Sequence, residues 1–404
     1  DVTYALGFYL SLLLTGWNST EGFHRRRLAL RRWLILCLFW PLFILLQVIN
    51  AICLYLDNWL FPGYRQVVVR QPVFVVGMPR SGTTFLHHLL ALDEDRFTTA
   101  VLWELIFAPS IVQRRFWGGL GRLDALIGRP LGRVVYGAER LLLTWLDDVH
   151  KTGLQAPEED FLGLLPAGGC FLLVLLFPRQ QFWHLAHFDR DLPAAEQARI
   201  LGFYRRLVQR HLYCRGPDKT YLSKNPSFSP MVAGLARTFP DARFIACFRN
   251  PTDAVPSQVS SMLNVAVAID PRADTSYWRE HLTELMQFYC HHLLQVLPAL
   301  PPAQHAFVTM EALSQAPLAT LQRLYQCLQL PLSDAYRRAL APEVERARHY
   351  RSRHDYSLGG LGFSPERLLN AFDSVYLRFG YPPPRRRQDR DSHTFVTESA
   401  YNGR

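Results

Sequence analysis

The sequence predicts an α/β fold: a P-loop-like parallel sheet flanked by helices, with a helical lid insertion and N-terminal membrane-associated helices. Two observations carry the sheet. Short β-branched apolar runs alternate with stretches of helical spacing, and such alternation implies parallel strands covered on both faces. The first run, PVFVVG (Pro72 to Gly77), enters MPRSGTT and then the helical FLHHLLAL, the strand–loop–helix order of a phosphate site. A third observation carries the membrane helices: from Trp33 to Leu56 the chain runs 24 residues without a charge.

Taken in order, the N-terminus comes first. About 20 apolar residues suffice to cross a bilayer, so the Trp33 to Leu56 segment is long enough. Tyr4 to Trp17 is too short to span and reads as an interfacial helix. Arginines 25, 26, 27, 31 and 32 lie between the two and suit anionic headgroups. The segment starts too late for a secretory signal and lacks a small-residue cleavage site after it. Pro41, Gln47 and Asn50 leave room for a bent, monotopic segment as well as a crossing one. A monotopic segment would keep the body on the cytoplasmic face, whereas a crossing would export everything after Tyr55. These residues, 1–60, form the expected first unit. Residues 61–381 form the second, with 105–240 a helical and aromatic insertion over the sheet. Residues 382–404, opening with PPPRRRQDRD, read as an extended tail.

After the first strand come ARFIACF (Ala242 to Phe248), running into RNPTDAVPSQVSSM, and HAFVTM (His305 to Met310), running into a further helix. At 49% hydrophobic and 19% charged, the 404-residue chain is not a largely disordered one. No Gly-X-Y period or repeating block supports a collagen or solenoid. The formal net charge of +10 suits anionic partners such as nucleotides, phosphates or a membrane surface, and no motif points to nucleic acid. Seven scattered cysteines without a CxxC pair give no zinc site or disulfide framework, and no cluster has metal-ligand spacing.

The loop Gly77-Met-Pro-Arg-Ser-Gly-Thr83-Thr84 has the spacing of the first half of a Walker A loop, but Thr83 stands where the lysine belongs. That lysine reaches β- and γ-phosphates, so its absence counts against an ATPase or GTPase. Gly82 lets the backbone close on an oxyanion, Arg80 supplies charge, and the Ser81, Thr83 and Thr84 hydroxyls add donors.

With these motifs the chain resembles the 3′-phosphoadenylyl-sulfate-dependent sulfotransferases, specifically their bacterial-type, tyrosylprotein-like branch, from about Pro72 to Tyr381. PRSGTT is similar to that family's 5′-phosphosulfate loop. FIACFRNPTDAVPS is similar to its 3′-phosphate motif, with Arg249 at a strand end and Ser257 eight residues later. Trp103-Glu104, APEED (Ala156 to Asp160) and HDYSL (His354 to Leu358) are weaker points of likeness. The resemblance implies a sulfonate-donor nucleotide as co-substrate, no metal, and a hydroxyl acceptor. Sulfuryl transfer, like phosphoryl transfer, is an in-line displacement whose catalysis is positioning plus charge stabilisation.

Three of the 44 basic residues are lysines: Lys151, Lys219 and Lys224. Lys224, in LSKNPSFS, is similar to the family lysine that contacts the bridging oxygen. Arg80 with Thr83 and Thr84 would hold the 5′ phosphosulfate, and Arg353 with Arg351 could meet the 3′ phosphate. The cytosolic pattern of a histidine two residues after the lysine fails, because Pro226 stands there. A glutamate downstream of the loop is then the expected base. Glu104 fits that position best; Glu159 and Glu158, near His150, are the rivals. His87 and His88 read as helix-packing or acceptor-contact residues.

The acceptor expectation is an amphiphilic alcohol. FLGLLPAGGCFLLVLLF (Phe161 to Phe177) could form an apolar wall beside the membrane, or be core. The alternatives are a nucleotide kinase or NTPase with an altered phosphate loop, and a sulfotransferase for a soluble or protein tyrosyl acceptor.

Overall fold

The computed structural model describes residues 2–15, 30–143, 153–348 and 362–383. Five parallel strands form its sheet: β1 (Val73–Gly77), β2 (Phe97–Thr98), β3 (Thr220–Lys224), β4 (Arg243–Phe248) and β5 (His305–Thr309), in the spatial order β2-β3-β1-β4-β5. The alternation of side chains across the pleat sorts them into two cores. Phe74, Val76, Phe244 and Ala246 face a large helical layer, while Val73, Val75, Ile245 and Cys247 face a smaller one. Both faces are therefore dry. This is why β1 and β4 read as continuous apolar runs rather than alternating ones.

Three strands lie where the sequence places them; two do not show in it. β2 is two residues long. β3 comes from within 105–240, the stretch read as helical, because Ser223 and Lys224 interrupt its apolar character. Both are nonetheless 2% exposed, held between β1 and β2. The rest of that stretch is mainly helical. It includes α5 and α6 below, the Ala194–Arg215 helix and two 3₁₀ segments, Asp160–Ala167 and Phe171–Leu175.

Two helices precede the sheet, α1 (Val2–Thr15) and α2 (Leu30–Leu60). Both pack on the body. The Tyr9 ring of α1 meets Phe43 of α2 edge-on at 4.9 Å, and its hydroxyl donates to Leu165 O. The apolar run from Phe161 to Phe177 lies beneath them. Phe161, Leu164, Leu173, Val174 and Phe177 are all buried. The run is core and does not form an open apolar wall. Pro166, Gly168 and Gly169 break it into short turns that pack against α1, α2 and the Ala194–Arg215 helix.

After β1 come α3 (Thr83–Ala91), α4 (Leu102–Ile106), α5 (Ile111–Leu126) and α6 (Pro130–Leu143). The chain passes from the central β1 out to β2 and β3 on one side, then to β4 and β5 on the other. The switch point is thus the carboxyl end of β1, the place where open α/β sheets bind ligands.

Candidate active site

The loop after β1 is built by two glycines. Gly77 has φ 143°, and a Cβ there would stand 2.3 Å from Cys247 O of β4. Gly82 has φ 83°, and its Cβ would meet Met310 Sδ at 2.2 Å. Only glycine fits either backbone without strain. Arg80 is also left-handed, with φ 66°, a costly state for a residue with a side chain. Ser81 Oγ donates to the carbonyls of Met78 and Cys247, the latter at 3.0 Å, and the residue is 1% exposed. Its hydroxyl ties the loop to β4. α3 begins at once, capped by Gly82 without a side-chain acceptor, so its first N–H groups point to an anion position. Thr83 is buried there and Thr84 exposed.

Arg249 and Ser257 meet this loop from β4. Arg80 Nε donates to Ser257 Oγ at 3.1 Å, and Arg249 Nη1 reaches Arg80 O at 3.5 Å. Ser257 lies on the first turns of the Pro251–Ile269 helix, whose cap Asn250 accepts from Thr252 N. Glu311, after β5, accepts from Asn250 N at 3.2 Å and from the Tyr381 hydroxyl at 2.9 Å. The C-terminal segment therefore braces the arginine turn.

Lys224 flanks the loop on the other side, level with Val75 of β1. It is 2% exposed, and its Nζ lies 3.0 Å from Glu159 and 3.8 Å from Glu158. The neighbouring rung is Ser223 to Asp160, at 2.9 Å. Asp160 also accepts from the hydroxyls of Tyr204 and Tyr221. Burial pushes the Asp160 carboxyl up to about 6, against these three hydrogen bonds. Consecutive pairs, Ser223–Asp160 and Lys224–Glu159, thus fasten the PEED segment to the end of β3. Sequence reasoning passed over Asp160 as a site residue. Its signal was a third consecutive acid, after Glu158 and Glu159, at the head of the apolar run that begins at Phe161.

Glu104 is engaged elsewhere. It is 1% exposed and takes both bonds of Arg215, with Nε at 2.9 Å. Its other oxygen is 3.4 Å from His211 Nδ1 and 3.8 Å from Arg114 Nη1, and has no well-aligned hydrogen bond among the described residues. Burial raises the carboxyl's pKa, but His211, Arg114 and Arg215 outweigh it and hold the group far below the usual carboxylate range. His87 is buried with Nε2 2.9 Å from Thr99 Oγ1, and burial lowers it to about 3. His88 is 3.4 Å from Glu343. Arg353, Arg351, His150 and the HDYSL motif lie outside the described residues.

The Sulfotransferase family model matches residues 72–131 and 175–334. Those spans hold Arg80, Glu104, Lys224, Arg249 and Ser257, whereas Glu158 to Asp160 fall between them. Omega-hydroxy-beta-dihydromenaquinone-9 sulfotransferase Stf3 is 28% identical over 223 residues in both Mycobacterium bovis and Mycobacterium tuberculosis. That alignment covers 54% of this chain and 52% of the relative, so the chain spans about half the length of the curated relatives it matches. Sulfotransferase STF9 from Mycobacterium avium superposes with a TM-score of 0.72 at 17% identity, over 94% of this chain and 93% of that one. STF1 from Mycobacterium tuberculosis gives 0.69 at 19%, over 91% and 92%. The structural likeness speaks for the fold. The family match, across more than half the chain, speaks for descent: the protein belongs to the sulfotransferase family.

Proposed function

We propose that the protein moves a sulfonate from 3′-phosphoadenylyl sulfate to the hydroxyl of an amphiphilic, membrane-held acceptor. The observation that carries this reading is the convergence at the end of β1. Arg80, Arg249 and Ser257 meet on one side, and the buried Lys224, paired with the half-buried Glu159, stands on the other. The cradle fits a sulfonate donor because it offers backbone N–H groups and arginine but no lysine within the loop.

In this reading Gly82, Thr83 and Thr84 hold the 5′ end through their N–H groups, with Arg80 adding charge. Arg249 and Ser257 take the 3′ phosphate once Arg80 turns from Ser257. Glu159 accepts the acceptor's hydroxyl proton as the new O–S bond forms. Lys224 neutralises the bridging oxygen as the old S–O bond breaks and the bisphosphate leaves. Asp160 is a positioning residue that aims Glu159, and Glu104 maintains the fold.

Support for a lipid acceptor comes from the menaquinone derivative in the relative's name and from the apolar outer face of α2. Membrane association belongs to the same proposal. The donor assignment is tested by calorimetry. Adenosine 3′,5′-bisphosphate should bind at least about tenfold tighter than AMP, since each charge-assisted bond contributes about 1.5–3 kcal/mol. Arg249→Ala should erase most of that difference. Equal affinity for the two nucleotides, or a preference for ATP with Mg²⁺, would reject the assignment and favour the kinase alternative.

A further inference from the structure

The polarity of α2 is inside out. Four of its polar side chains, Arg32, Gln47, Asn50 and Asp57, are buried against the body. Arg32 Nη2 donates to Leu176 O at 2.8 Å, and Asn50 Oδ1 accepts from Gln113 Nε2 at 2.8 Å. Asp57 accepts from Ile111 N and Val112 N, each at 3.0 Å, and from Arg210 Nε at 2.7 Å. The opposite face, from Trp33 to Leu60, exposes no charged side chain. Leu38, Leu42, Leu45, Ile49 and Ile52 form its aliphatic middle, 44–72% exposed. Trp33 lies near one end of that face and Trp59 near the other, 45% and 72% exposed. The face amounts to on the order of 1,000 Å², where a soluble monomer's largest apolar patch is about 300–600 Å². It ends in arginine: Arg31 is exposed at the first turn.

The hairpin of α5 and α6 starts where Asp57 caps α5. It exposes Phe116, Trp117, Leu126, Ile127 and Val134. Arg115, Arg122, Arg129 and Arg133 are exposed among them. Apolar residues interleaved with arginines, beside an uncharged helix face with tryptophan near each end, match the two zones of an anionic bilayer, acyl boundary and headgroups.

We infer that the outer face of α2, extended by the α5–α6 hairpin, is the surface on which the protein lies on an anionic lipid bilayer. The helix axis runs in the plane of the interface and does not cross. Thirty-one residues at 1.5 Å each are enough to span the roughly 30 Å hydrocarbon core, so length alone does not choose between the two placements. What decides is that the body is fastened to α2 near its start, in its middle and near its end, so a crossing would draw those buried polar contacts into lipid. The inference rests on the proposed function only for what the bilayer supplies, a lipid hydroxyl; docking is measurable without turnover.

The test is flotation of the full chain with sealed vesicles of phosphatidylcholine, with or without phosphatidylglycerol. Wild type should float, more strongly with the anionic lipid. Leu38→Glu/Leu45→Glu/Ile52→Glu should cut the floating fraction at least about tenfold, while the rise in melting temperature with adenosine 3′,5′-bisphosphate stays at the wild-type value. Arg122→Glu/Arg129→Glu should remove the phosphatidylglycerol enhancement alone. Undiminished flotation of the triple variant would overturn the inference. So would a protease-protected N-terminal fragment inside the vesicles, or a wild-type dimer that the triple variant makes monomeric without any vesicle binding. Wild type that floats but sulfonates no lipid would count against the acceptor proposal and leave the docking surface standing.

Discussion

Replacing Glu104 by glutamine tells a structural salt bridge from a catalytic base. The substitution keeps the shape and removes the charge. It leaves Arg114, 7% exposed, and His211, 2% exposed, beside a neutral group. Breaking a fully buried pair costs about 3–5 kcal/mol. Arg215, the carboxylate's main partner, is 46% exposed and can turn to water, so the loss here is nearer about 2–3 kcal/mol. For a chain of this size that lowers the melting temperature by roughly 4–6 °C, at about 2 °C per kcal/mol. Turnover measured well below the transition should stay within about threefold of wild type. Glu159→Gln should do the reverse, leaving the melting temperature nearly unchanged and lowering kcat by about 10²–10⁴. Scanning calorimetry and initial rates on the two variants are the assay. A Glu104→Gln protein with wild-type melting and no turnover would refute the reasoning and return the base to Glu104.

Further consequences follow from the same geometry. Lys224→Ala should lower kcat more than it weakens bisphosphate binding, because its charge matters most as the leaving group develops; equal losses in both would assign it to ground-state binding. Gly82→Ala should abolish bisphosphate binding in calorimetry, since its Cβ would meet Met310 Sδ at 2.2 Å on a left-handed backbone. Ser81→Ala should cost about 1 kcal/mol of stability with donor affinity unchanged, as its hydroxyl serves the loop and β4. Stability should fall between pH 6.0 and 4.5, because burial holds His87 near 3 and His211 near 4 while the unfolded chain protonates both at about 6.5. Asp160, raised by burial to about 6, takes up its proton earlier when folded and offsets one of the two. His87→Gln should therefore flatten the slope by about 1.4 kcal/mol per pH unit, and denaturant midpoints across the window would show an unchanged slope if His87 is not the group.

The sequence made β1, β4 and β5 legible because each is a β-branched or aromatic run between turn signals. The phosphate loop was legible because its glycines and the following helical spacing are local. β3 was hidden because Ser223 and Lys224 interrupt its apolar run inside a stretch read as helical. The pairing of Glu104 with Arg215 spans 111 residues and joins elements whose contact only the tertiary fold creates. The same holds for the Ser81 hydroxyl, whose partner Cys247 O comes from β4. For α2, hydropathy showed how long the apolar segment is. Which side faces lipid depended on where Asn50 finds its partners, Ile106 O of α4 and Gln113 of α5.

The most direct test of sulfonate transfer is mass spectrometry of a lipid extract incubated in nanodiscs with 3′-phosphoadenylyl sulfate and protein. Wild type should produce a hydroxyl-bearing lipid heavier by one sulfonate, together with adenosine 3′,5′-bisphosphate, and Glu159→Gln and Lys224→Ala should produce neither. Release of the bisphosphate without any sulfonated lipid, or efficient sulfonation of water-soluble alcohols and tyrosyl peptides alone, would contradict the account.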